Sequence, residues 1–169
     1  MPVDVETYTF EDDGGIPNSR LPVLIHHGVE PAHDAAQCEE LFDANTWVPD
    51  WRDGIFSFHH FHSTSHEVLG IVRGEAAVML GGPSGRRFEI AVGDVLALPA
   101  GTGHCNQGSS PDLLVIGAYP DGMAWDIRRG DPGEHDEVVA NIRAVPLPRA
   151  DPVEGAGGPL TELWRDAAT

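Results

Sequence analysis

From Gly54 to Tyr119 the chain is a succession of short apolar, β-prone runs cut by glycine and proline. Residues 55–62, 67–73, 76–80, 87–92, 95–98 and 113–119 each read as a strand, and 63–65, 81–85, 93–94 and 99–103 read as the turns between them. No βαβ spacing is present. The fold class this predicts is all-β, a double-sheet jelly-roll barrel.

The flanks differ from this core. Residues 3–10 alternate loosely, with Val3, Val5, Tyr8 and Phe10 apolar, and predict a strand. Pro22 demotes the strand expected at 21–25 to an edge strand or an irregular start, and His26 and His27 directly after it read as a surface pair in a polar loop, with a place near a site as their other reading. Residues 32–44 predict a helix with Ala32, Ala35, Ala36, Leu41 and Phe42 on one side. Trp47, Pro49 and Trp51 lead into Gly54 as core anchors, with the lining of a substrate mouth as their other reading. A short helix is expected at 134–142, and the proline-rich tail predicts an extended strap that buries Leu147, Val153, Leu160, Leu163 and Trp164. At 169 residues the chain is expected to be one domain: a barrel core at about 50–120, N-terminal strands and helix over 1–49, and the strap over 120–169.

Charge narrows the partners. Ten arginines and no lysine stand against 27 acidic residues, a formal net charge of -17. Such a field repels nucleic-acid phosphates and acidic membranes. It serves a solvated surface or attracts a cationic partner. Without lysine there is no Schiff-base chemistry. No apolar run approaches the roughly 20 residues that cross a bilayer, and no leader pattern precedes the first strand, so a cytoplasmic location is expected. Cys38 and Cys105 are too few for a disulfide scaffold and read as small buried residues.

The chemistry concentrates between Gly54 and Gly74, where His59, His60, His62, His66 and Glu67 interrupt an apolar run, and one more histidine, His104, ends the run after Gly93. Strand alternation sends His60 and His62 to one face, with Phe56 and Phe58, and sends His59 to the other. Two imidazoles on one face and a carboxylate after a short turn meet the needs of a divalent metal. His66 points opposite to Glu67 if the strand is regular, and a bulge after Ser65 exchanges them. Tyr119 reads first as a buried aromatic and second as a hydrogen-bond donor at the mouth. Arg73 and Arg87 are surface residues or anion anchors.

The spacing Gly54, five residues, His60, Phe61, His62, four residues, Glu67, six residues, Gly74 resembles the first motif of the cupin superfamily. Gly93, five residues, Pro99, Ala100, Gly101, two residues, His104 resembles the second. One position departs from it: Gly108 stands where the second motif carries asparagine, and the nearby asparagine is Asn106. The phrases FHHFHSTSHEVLGIVRG, LPAGTGHCN, GAYPDGMAWD and VPLPRADPVEGAGGPL are similar to an uncharacterised bacterial family of single-domain cupins. The resemblance implies a cupin-type double-stranded β-helix with short helices, and the ligands His60, His62, Glu67 and His104 for one divalent metal ion per chain.

Three neutral imidazoles and one carboxylate suit Fe, Mn, Ni or Zn and leave positions for water or substrate. The expected function is a metal-binding small cupin, an oxygenase or isomerase acting on a small polar substrate. A non-catalytic small-molecule binding or structural cupin is the alternative. The resemblance implies a homodimer as well, since cupin-like proteins commonly associate through barrel edges and terminal straps, and such pairing covers edge strands that otherwise invite aggregation.

Overall fold

A computed structural model describes residues 4–169. The elements are β1 (Asp4–Tyr8), β2 (Val23–His27), a 3-10 turn (Glu30–His33), α1 (Ala35–Ala44), β3 (Trp47–Asp53), β4 (Glu67–Arg73), β5 (Glu75–Leu80), β6 (Arg86–Ala91), β7 (Val95–Leu98), β8 (His104–Ser109), β9 (Leu114–Pro120), α2 (His135–Ala144) and α3 (Pro159–Ala168). Val3, expected to open the first strand, lies outside the described residues. The strands pair antiparallel.

The expected closure into a jelly-roll barrel is not what the chain adopts. Its strands form two open sheets, one of six in the order β1-β2-β7-β4-β9-β3 and one of three in the order β6-β5-β8. The run at 55–62 was expected to be a strand, and it is not one. Its backbone makes single bridges, His60 to His104 and Phe61 to Arg128, in place of a ladder. The donors that would extend a ladder are spent elsewhere: the Ser63 and Thr64 N–H groups go to the Asp126 carboxylate. The segment therefore lies beside β8 without joining a sheet.

Of the two roles expected for the run at 21–25, the edge strand is overturned, since β2 pairs with both β1 and β7; Pro22 stands just before its first residue. His26 and His27 belong to that strand and not to a loop. The expected helix at 32–44 divides at Asp34, whose carboxylate accepts from the Gln37 N–H at 3.0 Å and caps α1. The C-terminal strap is not extended to its end. Gly158 and Pro159 start helix α3, with Leu160 and Trp164 one turn apart on its buried side.

Alternation along the central strands separates two apolar layers. Leu24, Val68, Val72, Val95, Ala97, Ile116 and Ala118 face the helices and pack with Phe42, Trp47, Leu160 and Trp164. Val23, Ile25, Leu69, Ile71, Leu96, Leu98 and Val115 face the second sheet and pack with Ala76, Val78, Leu80 and Ile90. α1 sits close on β4 because Gly70 has no side chain: a Cβ there would lie 2.5 Å from Cys38 Sγ. Cys38 is fully buried, and that burial pushes its thiol up to about 12, as befits a packing residue.

Candidate metal centre

β4 begins at Glu67, and its register separates Glu67 from His66. Glu67 lies with Leu69 in the cavity on the inter-sheet side. His66 turns to the helix side, where its ring is 4.8 Å from that of Trp164. Both His66 nitrogens are engaged: Nδ1 accepts from the Ala100 N–H at 2.9 Å, and Nε2 donates to the Pro146 carbonyl at 3.1 Å. Burial lowers its pKa to about 4, so the ring is neutral and has no lone pair to offer a metal. No bulge exchanges the two residues.

His60 and His104 are held opposite each other by reciprocal backbone bonds of 3.2 and 2.9 Å. His62 enters two residues later, its carbonyl accepting from the Gly101 N–H at 2.8 Å. The three histidines are buried, and each offers a ring nitrogen within 4.8 Å of the others. Their tautomers follow from the backbone. His60 Nδ1 faces the Phe58 carbonyl at 3.0 Å, His104 Nδ1 faces the Thr102 carbonyl at 3.0 Å, and His62 Nδ1 faces the Asp126 carbonyl. A carbonyl oxygen only accepts, so each Nδ1 carries the hydrogen and each Nε2 keeps its lone pair.

Glu67 closes the arrangement. Its Oε1 stands 3.3 Å from His62 Nε2 and 3.2 Å from His104 Nε2, yet has no hydrogen-bond donor. Its Oε2 accepts from the Tyr119 hydroxyl at 2.5 Å. Three imidazoles and a carboxylate oxygen without a hydrogen-bond partner, all buried, form a donor set that a positive centre would satisfy. The residues thus fit a divalent cation with nitrogen and oxygen ligands.

Charge couples the carboxylate closely to the imidazoles. Burial alone raises the Glu67 carboxyl, but His62 and His104 outweigh it and hold it well below the carboxylate range. Burial likewise lowers His62, and the Glu67 charge reverses this so that its pKa is raised. His60 drops to about 3, through burial first and the neighbouring His104 second. The carboxylate therefore draws positive charge to its own side of the cluster. Tyr119 is pushed up by burial and by Glu67, which keeps its hydroxyl a donor.

The cluster is the floor of a cavity of about 340 Å³. Its walls include Trp51, Ile55, Phe56, Leu69, Tyr119 and Trp125, and its rim carries Asp50 and Asp53. Trp51 lies flat over Gly117, where a Cβ would come within 2.0 Å of the indole, and donates from Nε1 to the Tyr119 hydroxyl at 2.9 Å. Trp125 stacks on Tyr119 at 5.3 Å and meets the His62 ring edge-on at 5.3 Å.

The expected ligand residues are thus brought together, with Phe56 beside them, while Phe58 stacks behind Phe56 at 4.9 Å. His59 is half-buried and outside the cavity lining, as are buried Cys105, exposed Arg73 and exposed Arg87, the last paired with Glu89. Tyr119 is the buried aromatic expected at the strand end, and its hydroxyl donates to the buried Glu67 carboxylate and not at the mouth. Sequence reading missed Asp126. Its carbonyl orients His62, and its carboxylate binds the Ser63 N–H and hydroxyl, the Thr64 N–H and Arg128 Nε. It lies more than 60 positions along the chain from His62. The one signal was the phrase GAYPDGMAWD, whose tryptophan and aspartate stand in a loop without periodicity.

Residues 52–121 match the Cupin family. The uncharacterized protein YjlB of Bacillus subtilis (strain 168) is 38% identical over 165 residues, spanning 97% of this chain and 99% of its own. Among solved structures, the chain is similar to a cupin 2 domain-containing protein from Halorhodospira halophila, at 13% identity and a TM-score of 0.33, covering 82% of this chain and 77% of that one. It is also similar to the dTDP-6-deoxy-D-glucose-3,5-epimerase RmlC from Legionella pneumophila, at 14% identity and a TM-score of 0.37, covering 70% and 72%. Likeness at those scores carries no argument about chemistry. The near full-length match to YjlB and the Cupin match over the residues that include the three histidines make this chain a member of the cupin family.

Proposed function

We propose that this chain is a metal-dependent cupin enzyme, an oxygenase or isomerase acting on a small polar substrate, with His60, His62, Glu67 and His104 holding one divalent ion of Fe, Mn, Ni or Zn. The observation that carries the reading is the cluster of three buried histidines, two of which, His62 and His104, bring Nε2 within 3.3 Å of a buried Glu67 oxygen that has no hydrogen-bond partner. When bound, such an ion supplies Lewis acidity and open positions for a substrate oxygen or for dioxygen. Tyr119 fixes Glu67 through Oε2 and leaves Oε1 turned toward the imidazoles. Asp50 and Asp53 are the lining carboxylates outside the cluster, available to hold or move a substrate proton. Phe56 and Trp125, both solvent-exposed, are among the lining residues.

Metal content per chain, measured on protein purified without added metal or affinity tag, tests the ligand set. Near-stoichiometric metal is expected, lost in His62→Ala and His104→Ala. Metal retained at one per chain in both variants overturns it. The largely apolar walls favour a second reading, a non-catalytic binding cupin. Water proton relaxation of the Mn(II)-loaded protein separates the two: an exchangeable position supports catalysis, and its absence supports binding alone.

Homodimer formation is part of the proposal. β1, β3, β6 and β8 each have one strand neighbour, and Leu147 and Leu163 are exposed. Light scattering should give twice the 18.1 kDa chain mass.

A further inference from the structure

With a divalent ion bound, the charge of the cavity would change sign between floor and rim. On the floor, three neutral imidazoles and the Glu67 carboxylate around that ion would sum to one positive charge. At the rim, Asp50 and Asp53 are exposed carboxylates, and no arginine is among the lining residues. Arg129 stands 3.9 Å over the Phe58 ring and does not line the cavity. The Asp50 carboxylate accepts from the Trp125 indole N–H at 2.7 Å, which ties that side chain to the rim and keeps its charge there. Four aromatic side chains, Trp51, Phe56, Tyr119 and Trp125, stand in the walls beside Ile55 and Leu69.

Each of these features acts on a cation. Aromatic faces attract ammonium groups, the more strongly where water is excluded. Rim carboxylates pair with an ammonium group and leave a carboxylate or phosphate unpaired and repelled. The net charge of -17 adds a long-range field that concentrates cations at any opening and slows the arrival of anions. A cavity of about 340 Å³ admits a molecule of roughly ten non-hydrogen atoms.

We propose that the cavity selects a small organic cation, an amine with an apolar body, whose ammonium head sits at Asp50 and Asp53 among the aromatic walls while its other end points to the metal. The proposal rests on the metal-centre reading above and names the substrate class of that site. It gives the acidic composition a role in capture, and it explains why the lining lacks the basic side chains that an acidic substrate would need.

Three probes of one size and three charges test it: benzylammonium, benzyl alcohol and benzoate. Each is titrated into the metal-loaded protein by calorimetry and by quenching of tryptophan emission, with metal content assayed on the same sample. Benzylammonium should bind best and benzoate worst. Asp50→Asn combined with Asp53→Asn should weaken benzylammonium roughly tenfold and leave benzyl alcohol within about twofold. Circular dichroism of the variant confirms that it is folded. Trp125→Leu, which keeps both carboxylates, should also weaken benzylammonium. Benzoate binding as tightly as benzylammonium, or a charge preference unchanged by the double substitution, overturns the proposal even where the metal is present at one per chain. A sample that takes up no metal overturns the metal-centre reading instead, and the order of the three probes on that sample still reports whether the rim selects cations.

Discussion

The Tyr119 hydroxyl donates to Glu67 Oε2 at 2.5 Å while accepting from Trp51 Nε1 at 2.9 Å, so one side chain joins the wall of the cavity to its buried carboxylate. Tyr119→Phe keeps the ring and removes the donor. A hydrogen bond to a buried charged group is worth about 1.5–3 kcal/mol. Denaturant unfolding of the metal-free protein should show a loss in that range, and a chelator competition should show metal affinity weakened roughly tenfold.

Asp126 acts on His62 from outside the cluster. Its carboxylate gathers the Ser63 and Thr64 N–H groups and the Ser63 hydroxyl, which sets the carbonyl that accepts His62 Nδ1. Burial raises this carboxyl, and the bonds from Ser63 and Arg128 outweigh burial and lower it. Asp126→Ala frees those groups and loosens the ring. Metal affinity should fall about 10- to 100-fold. Asp126→Asn, which retains one acceptor, should fall between that and the native protein.

Gly117 is required by the indole above it. A Cβ would come within 2.0 Å of Trp51, so Gly117→Val must lift the ring off β9 and away from the Tyr119 hydroxyl. Overpacking of this kind costs about 1–3 kcal/mol. The thermal midpoint should drop, and tryptophan emission should shift to longer wavelength as Trp51 meets water.

Asp151 makes the fold sensitive to acid. Its fully buried carboxylate accepts from the Val153, Glu154 and Leu160 N–H groups and lies 3.3 Å from His26 Nε2, tying the start of α3 to β2. Burial alone raises its pKa, but His26 and the backbone donors outweigh burial and hold it below the ordinary value. In acid the unfolded chain therefore binds the proton first. The stabilisation is complete above about pH 4, the unfolded carboxyl's range, and is lost as pH falls through the lower folded value. Asp151→Ala should cost about 3 kcal/mol at neutral pH. Its deficit relative to the native protein, read from denaturation between pH 2 and 6, should shrink on the acid side.

What was legible in the sequence were the features carried by local periodicity and by short spacings. β4, β5, β6, β7 and β9 lie within a residue or two of their expected bounds, because alternating apolar residues between glycine turns leave a strand few other choices. The first turn of α3 was hidden behind prolines, although Gly158 and Pro159 are a start signal and Leu160 and Trp164 share one side. His60, His62, Glu67 and His104 were named as candidates from spacing, but the strand invoked to align the first two does not exist. They converge because single bridges and three backbone carbonyls orient them one by one.

The sequence by itself determined the β-rich core, the acidic excess and which side chains were candidates for a metal site, since each follows from residue type and near-neighbour spacing. Only the tertiary structure decided that the sheets stay open, that His66 is spent on Ala100 and Pro146, that Asp126 orients His62, and that aromatic walls end in two carboxylates. The physical reason is range: a backbone N–H or carbonyl takes whichever partner folding brings to it, and at this site the partners come from more than 30 and more than 60 positions away.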